Sequence, residues 1–375
     1  MSDLKETIVI VGAGAIGRGY LPWTFEDNRY NLILVDQNVE LIRKLKEQGY
    51  FTSYMTMKGK GLVGKKFMVD QAYTIDEFQT VQCPDPVTCY MAVGPRNVVL
   101  ASKVLKRFTC PIVLLENDDK TVELVRVAVG RENVFFAIPD VIASNTASLE
   151  NLQKDPLALH TEDGEMFVDA RAKAVAGRII YCDELELKNQ WAAKLYLHNT
   201  PHCIAAYLGS LLEQKYVHDP MGVPKARKIV EGAMNEMLRA LKLTWDIPHD
   251  FLDWYAAKEL DRFSNRELCD PISRVAREPF RKLELNGRLV GAALMCLKLG
   301  YVPINLLLGI TAALLYKNES DQDNHIAFAI KYLSPAIVLS YLLKLRKGEV
   351  LEELLSSNFV TLVDQLEEVM RCKPC

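Results

Sequence analysis

A strong charge of either sign is missing from this sequence. Its 45 lysines and arginines against 48 aspartates and glutamates leave a formal net charge of −3, so nothing electrostatic favours nucleic acid or an anionic membrane surface as a partner. An unbroken apolar run of membrane-spanning length is missing too. The longest apolar region, Leu289 to Tyr316, is interrupted by Lys298, Pro303 and Asn305, and reads as a pair of core helices rather than a membrane span. No internal repeat or low-complexity stretch occurs, which argues against solenoids and disordered linkers. No secretory signal opens the chain, and the nine cysteines are dispersed. They read as reduced thiols of a cytoplasmic protein.

What is present is a chain of 375 residues, 49% hydrophobic and 25% charged. That is the composition of an ordinary globular enzyme, long enough for two separately cored domains.

The amino-terminal part is the most readable. Thr7 to Val11 is a β-branched run, as expected of a strand buried on both faces of a parallel sheet. It leads directly into Gly12-Ala-Gly14-Ala15-Ile16-Gly17. In such a segment the first glycine permits a tight turn, the second lets the backbone approach a pyrophosphate, and the third lets helix and strand pack closely. A second strand, Leu32 to Val35, ends at Asp36, placed to accept hydrogen bonds from adenosine ribose hydroxyls and to repel an added 2′-phosphate. Strand, glycines, helix, strand and acid in this order predict a dinucleotide site, with NAD preferred to NADP.

Val87 to Val93 and Ile112 to Leu115 read as later strands of the same sheet, each ending in a polar turn. Ligands of open parallel sheets sit outside the carboxyl ends of the strands. Val93 and Gly94 therefore join the cofactor residues, and Asn117 falls beside the reacting end of the cofactor. Asn117 has two readings, an amide donor to the reacting oxygen or a helix N-cap. Val134 to Ile138 is another strand, and Leu149 to Asp183 reads as a crossover with short antiparallel strands.

From Trp191 onward, apolar residues recur at helical spacing, through Ile204 to Leu212, Ile229 to Leu241, Ala292 to Leu299, Leu306 to Leu315 and Ile326 to Leu345. The expected class is therefore α/β, a Rossmann-type doubly wound sheet followed by an all-α domain, with domains over 1–187 and 188–375. At the start of the helical half lies Lys194-Leu-Tyr-Leu-His-Asn199-Thr-Pro-His202. On a regular helix, at roughly 100° per residue, Asn199 falls roughly 140° and His202 roughly 80° around from Lys194. An amine in an apolar wall can act as a base, an amide N–H can hold a developing oxyanion, and an imidazole can orient a hydroxyl. Taken singly, the three also read as a solvated lysine, a capping asparagine and a core histidine. Further on, Arg274, Arg277, Arg281 and Lys282, followed by Arg288, form either a solvated face or a cationic pocket for a phosphate. His198 and His202 lie four apart like a metal pair, but no glutamate follows the first and Pro201 interrupts the helix. No metal is expected.

The pattern Lys194-x4-Asn199-x2-His202, with G-A-G-A-I-G-R-G at 12–19, A-V-G-P at 92–95, E-N at 116–117, R-F-S-N at 262–265 and R-V-A-R-E-P-F-R-K-L at 274–283, resembles the polyol-specific long-chain dehydrogenase/reductase, or mannitol dehydrogenase, family. The resemblance implies metal-independent hydride transfer with NAD: Lys194 as general base, Asn199 and Asn117 stabilising the oxyanion, His202 orienting the substrate. In the phosphate-using branch it implies interconversion of mannitol 1-phosphate and fructose 6-phosphate by a monomer or small homo-oligomer. Another polyol, sugar phosphate or hexuronate is the alternative substrate, and a non-catalytic NAD-binding sensor is the alternative class. Members usually carry Val-Asp-Arg where this chain has Ile142-Ala143-Ser144, and Pro201 stands where glycine is common.

Overall fold

A computed structural model describes residues 5–27, 29–57, 59–116, 118–317, 325–342, 344–346 and 348–371. The chain divides into two compact units. Met1–Gln190 with Glu267–Cys269 forms the first, and Trp191–Arg266 with Asp270–Cys375 the second.

The first unit is a mixed α/β layer structure. Its strands are β1 (Glu6–Val11), β2 (Tyr30–Asp36), β3 (Tyr50–Met57), β4 (Gly61–Met68), β5 (Gln71–Thr74), β6 (Thr88–Met91), β7 (Ile112–Leu114), β8 (Val134–Asp140), β9 (Leu159–Glu162), β10 (Glu165–Asp169) and β11 (Ile180–Cys182). Eight of them make one sheet in the order β11-β10-β8-β7-β6-β1-β2-β5. From β8 to β5 every pairing is parallel, and β10 joins β8 antiparallel. The chain leaves β1 for β2 on one side and returns to β6 on the other. The crevice at the carboxyl ends of β1 and β6 is thus the switch point at which this topology holds ligands. The β-branched run in β1 explains its central place: Ile8 and Ile10 pack into the core on one face, Val9 and Val11 into the core on the other.

A second sheet, β4-β3-β9, was not foreseen from the sequence. In β3 the inward positions are Phe51, Ser53 and Met55. A serine among them blunts the hydrophobic alternation that would mark a strand. Its hydroxyl is nonetheless satisfied, donating to the Gly19 carbonyl at 2.6 Å and accepting from Trp23 Nε1 at 2.8 Å. This fastens the small sheet to the segment that follows the glycine-rich turn. The predicted crossover contains β9, which pairs parallel with β3, while β10 is antiparallel to β8 and β11 parallel to β10.

The second unit is helical, as expected. A buried helix, Thr200–Leu211, packs against Pro224–Thr244 and Ile304–Leu314, and the last of these also packs against Val350–Met370. Gly309 permits a close approach to Thr200–Leu211, because a Cβ there would lie 2.6 Å from Ile204 Cγ1. No described helix is long and apolar enough to cross a membrane.

Candidate active site

Two groups of residues carry the chemistry, one in each unit. In the first unit the glycines behave as the motif requires. Gly12 has φ +100°, and a Cβ on it would lie 2.3 Å from the Ala92 carbonyl oxygen; a Cβ on Gly17 would lie 1.9 Å from the Gly12 carbonyl oxygen. No side chain fits at either position, whereas around Gly14 nothing lies within 4 Å. That open face is what a pyrophosphate needs. Ala15 and Ile16 follow it in a wide π turn, Ala15–Tyr20, rather than in a regular helix. Asp36 accepts from the Ala13 N–H and the Asn38 N–H, both at 2.8 Å. It lines a cavity of about 460 Å³ with Gly14, Arg18, Lys44, Asn145 and Leu157. Val93 and Gly94 are not part of that cavity's wall. They form the turn after β6, where the Val93 N–H donates to Glu116 Oε1 at 2.7 Å and Gly94 takes φ +86°. Glycines without room for a Cβ, an open approach at Gly14 and a carboxylate on the adjoining cavity fit a dinucleotide.

Arg18 was not singled out by the sequence. It is buried and bridges the loop internally, from Nε to the Ala13 carbonyl at 2.6 Å and from Nη1 to the Leu157 carbonyl at 2.9 Å. Burial draws its pKa down to about 10, opposed by Asp36 and Asp155. The one sequence signal for it was a cation directly after the third glycine.

In the second unit, Lys194, Asn199 and His202 are all buried, at 5%, 5% and 6% exposure. The backbone that carries them is not a regular helix. Lys194–Asn199 is a π turn, and Thr200–Leu211 continues as α-helix. Thr200 closes the wide turn by donating its N–H to the Leu195 carbonyl, five residues back. With bonds to the fifth residue back, a π turn winds at about 4.4 residues per turn, which brings Asn199 to roughly 50° around from Lys194 instead of the roughly 140° of a regular helix. Pro201, which has no N–H, sits just past this turn at the start of the α-helix, a position it tolerates. Asn199 Nδ2 is buried without a hydrogen-bond partner. A donor left open in this way is poised for an external oxygen.

His202 is held from two sides. Its ring stacks on Phe263 at 5.0 Å between centroids and 5° between planes, and Nε2 lies 3.2 Å from Asp270 Oδ2, off the line of a good hydrogen bond. Asp270 is gripped by Arg274, which donates Nε and Nη2 to the two carboxylate oxygens at 2.7 Å each. His198, on the same segment, is not paired with His202 as a metal ligand. Its Nδ1 meets Glu259 Oε2 at 2.5 Å, and Glu259 also accepts from Arg262. Among the described residues no cluster suited to a metal ion occurs.

The four cations singled out in the sequence have different fates. Arg274 is taken up by Asp270, Arg281 pairs with Glu278 at 3.3 Å, and Arg277 is exposed. Lys282 is buried, with Nζ donating to the Arg277 carbonyl and lying 5.6 Å from the Tyr207 ring centroid. Arg288 is buried beside it, and no described residue accepts a hydrogen bond from its guanidinium. Burial, and then Arg288, holds the Lys282 pKa well below its ordinary value; burial, and then Arg281, draws Arg288 down to about 10. The Arg288 carbonyl accepts from the Thr200 hydroxyl at 2.7 Å, which anchors this cation next to the turn bearing Asn199.

Asn117 lies outside the described residues. Ile142, Ala143 and Ser144 are buried and taken up by pairing. The Ser144 N–H donates to the His160 carbonyl at 2.8 Å, and Ala143 bridges Thr161.

Comparison with known proteins agrees with this layout. Residues 186–337 match the mannitol dehydrogenase C-terminal domain. The chain is 28% identical over 338 residues to mannitol-1-phosphate 5-dehydrogenase of Bacillus licheniformis, covering 83% of this chain and 88% of the relative. It is 29% identical to the enzyme of that name from Thermoanaerobacter pseudethanolicus, at 83% and 86% coverage. Among solved structures, Pseudomonas fluorescens mannitol 2-dehydrogenase in ternary complex with NAD and D-mannitol superposes with a TM-score of 0.74 at 16% identity, covering 99% of this chain and 92% of that one. The likeness at that identity is one of fold.

The Asp270 pair has a measurable signature. Burial alone would raise this carboxyl pKa, but Arg274 and His202 outweigh it and hold it below the ordinary 3.8. The folded chain then binds fewer protons than the unfolded chain near that pH. The stabilisation is therefore present above 3.8 and lost as pH falls through the depressed folded value. Asp270→Asn should lower stability by about 1–3 kcal/mol at neutral pH. Urea midpoints of the two proteins should converge in acid; a gap independent of pH would disprove the charge pairing.

Proposed function

We propose that this chain is a polyol oxidoreductase of the mannitol dehydrogenase family that interconverts mannitol 1-phosphate and fructose 6-phosphate with NAD, using Lys194 as general base. The observation that carries the reading is the wide turn that brings buried Lys194 and Asn199 toward one face, with Asn199 Nδ2 unpartnered and two buried cations alongside.

NAD, when bound, supplies the hydride acceptor for alcohol oxidation. Gly12, Gly14 and Gly17 receive its pyrophosphate, and Asp36 takes the ribose hydroxyls. Lys194 Nζ accepts the proton of the substrate's carbinol. Asn199 Nδ2 donates to the oxygen as negative charge builds on it, which favours the transition state over the neutral alcohol. His202, clamped between Phe263 and Asp270, fixes a neighbouring hydroxyl. In the reverse direction the Lys194 ammonium returns the proton.

A phosphorylated substrate is favoured over a free polyol by Lys282 and Arg288. Two cations buried side by side repel one another, and each loses hydration. A phosphate dianion between them would relieve both costs and receive charge-assisted hydrogen bonds. Arg274 and Arg281 already have carboxylate partners, so the seat assigned here is Lys282 with Arg288, rather than the whole basic run.

Lys194→Ala should lower turnover by about two to four orders of magnitude and leave NADH affinity near normal, as measured by stopped-flow turnover and fluorescence titration. A loss of only a few-fold would pass the role of base to another group, with Lys282 the next buried amine. Asp36→Ala should relax discrimination against NADP in steady-state kinetics; an unchanged NAD preference would remove Asp36 from the ribose. Arg288→Ala should raise KM for fructose 6-phosphate about tenfold or more and leave turnover of unphosphorylated fructose, assayed at high concentration, unchanged. Equal losses on both substrates would mean that Arg288 supports the fold and not the phosphate.

A further inference from the structure

At the other end of the large sheet, away from Gly12 and Asp36, lies a second cavity that the polyol reaction does not use. It has a volume of about 680 Å³ and lies where β1, β2, β6 and β7 begin, lined by Arg29, Thr109, Cys110, Lys173 and Arg178 among others. Behind Cys110 is Cys89, fully buried on β6. Their sulfurs are 3.4 Å apart and both thiols are free.

A third group completes the arrangement. Arg131 has Nε and Nη1 buried without hydrogen-bond partners, and Nη2 has only a long contact of 3.5 Å to the Leu105 carbonyl. Asn133 fixes the Cys110 backbone, donating to its carbonyl at 3.0 Å and to that of Thr109 at 2.7 Å, and its own Oδ1 is buried and unpartnered. A buried guanidinium with vacant donors is costly unless a negative charge forms near it. The charge available here is a thiolate. The S–H of Cys89, and also Arg131, draw the Cys110 pKa below its ordinary value against the opposing effect of burial, while burial raises Cys89.

We propose that Cys89 and Cys110 form a dithiol that hydrogen peroxide oxidises to a disulfide, with Cys110 as the attacking sulfur and the second cavity as the route of entry. The Cys110 thiolate attacks one peroxide oxygen, the O–O bond breaks, and the departing hydroxide takes up a proton to become water. The resulting sulfenic acid is attacked by Cys89. The S–S bond forms, the S–O bond breaks, and hydroxide leaves as water with the Cys89 proton. Two thiols are oxidised by two electrons in all, and one peroxide is reduced to two waters. Closing the bond requires the sulfurs to come from 3.4 Å to about 2.05 Å, a side-chain adjustment of roughly 1.3 Å. The covalent link would tie the start of β6 to the segment leading into β7, strands that already pair in register at Cys89 and Ile112.

The test uses the full chain with Cys372→Ser and Cys375→Ser, which removes a C-x-x-C pair at the carboxyl end as a competing sink for peroxide. After brief treatment with a small excess of hydrogen peroxide, intact mass should fall by two hydrogens. A non-reducing peptide map should show one cross-link, Cys89 to Cys110, that dithiothreitol reverses. In a Cys89→Ser chain the same treatment should leave a sulfenic acid on Cys110 that dimedone traps. Arg131→Gln should slow the wild-type reaction about tenfold by weakening the thiolate. The proposal is overturned if Cys110 goes to sulfinic acid with no cross-link, if Cys83 is the residue joined, or if both thiols survive while other cysteines oxidise. The peptide map of the unmutated pair decides the matter even if a substituted chain folds poorly.

Discussion

One wide turn organises the helical unit. Between Lys194 and Asn199 the backbone bonds five residues back instead of four, closed by the Thr200 N–H on the Leu195 carbonyl. A turn of this width swings the buried amide toward the face that carries the buried amine, where a regular helix would hold them roughly 140° apart. It also brings the chain to Pro201 at the first turn of the helix that follows, where a missing N–H costs nothing. The Thr200 hydroxyl reaches the Arg288 carbonyl, so the same residue that closes the turn locates a buried cation beside it.

Around that turn, buried charge is sorted by whether it has a partner. Glu259 answers His198 and Arg262, and Asp270 answers Arg274 and faces His202. These carboxylates fix imidazoles and guanidiniums in place, an arrangement that holds only while each charge is answered. Lys282 and Arg288 stand apart from this pattern as neighbouring cations without a carboxylate between them. The dithiol of the first unit follows the same logic, since two buried vacant donors on half-buried Arg131 lie near a sulfur that can become an anion. In both units the places where electrostatics is left incomplete are the places where a ligand or a reaction would complete it.

Much of this was legible in the residue order. The β-branched run of β1, the three glycines and Asp36 are local features whose consequences follow within one strand-turn-helix unit, and they sit where the spacing put them. Helical periodicity after Trp191 likewise survives, because a 3.6-residue pattern shows directly which face is buried. Less legible was the β3–β4 hairpin, where Ser53 occupies an inward position and depends on Gly19 and Trp23 for its partners. The fates of Arg274 and Arg281 were equally hidden. A basic run looks uniform in sequence, and only the fold decides which of its members find a carboxylate.

The sequence by itself determined the dinucleotide fingerprint, the change from alternating to helical pattern and the choice of an amine, an amide and an imidazole in one short segment. These rest on neighbours along the chain, whose geometry is set by local backbone sterics and hydrogen bonding. The tertiary structure alone decided that the segment bonds five residues back rather than four, that Asp270 and Phe263 clamp His202, that no described residue is seen to accept from the buried Arg288 guanidinium, and that two cysteines 21 positions apart touch. Those outcomes depend on desolvation and on contacts between residues distant in sequence, and neither is set until the chain has closed around its cores.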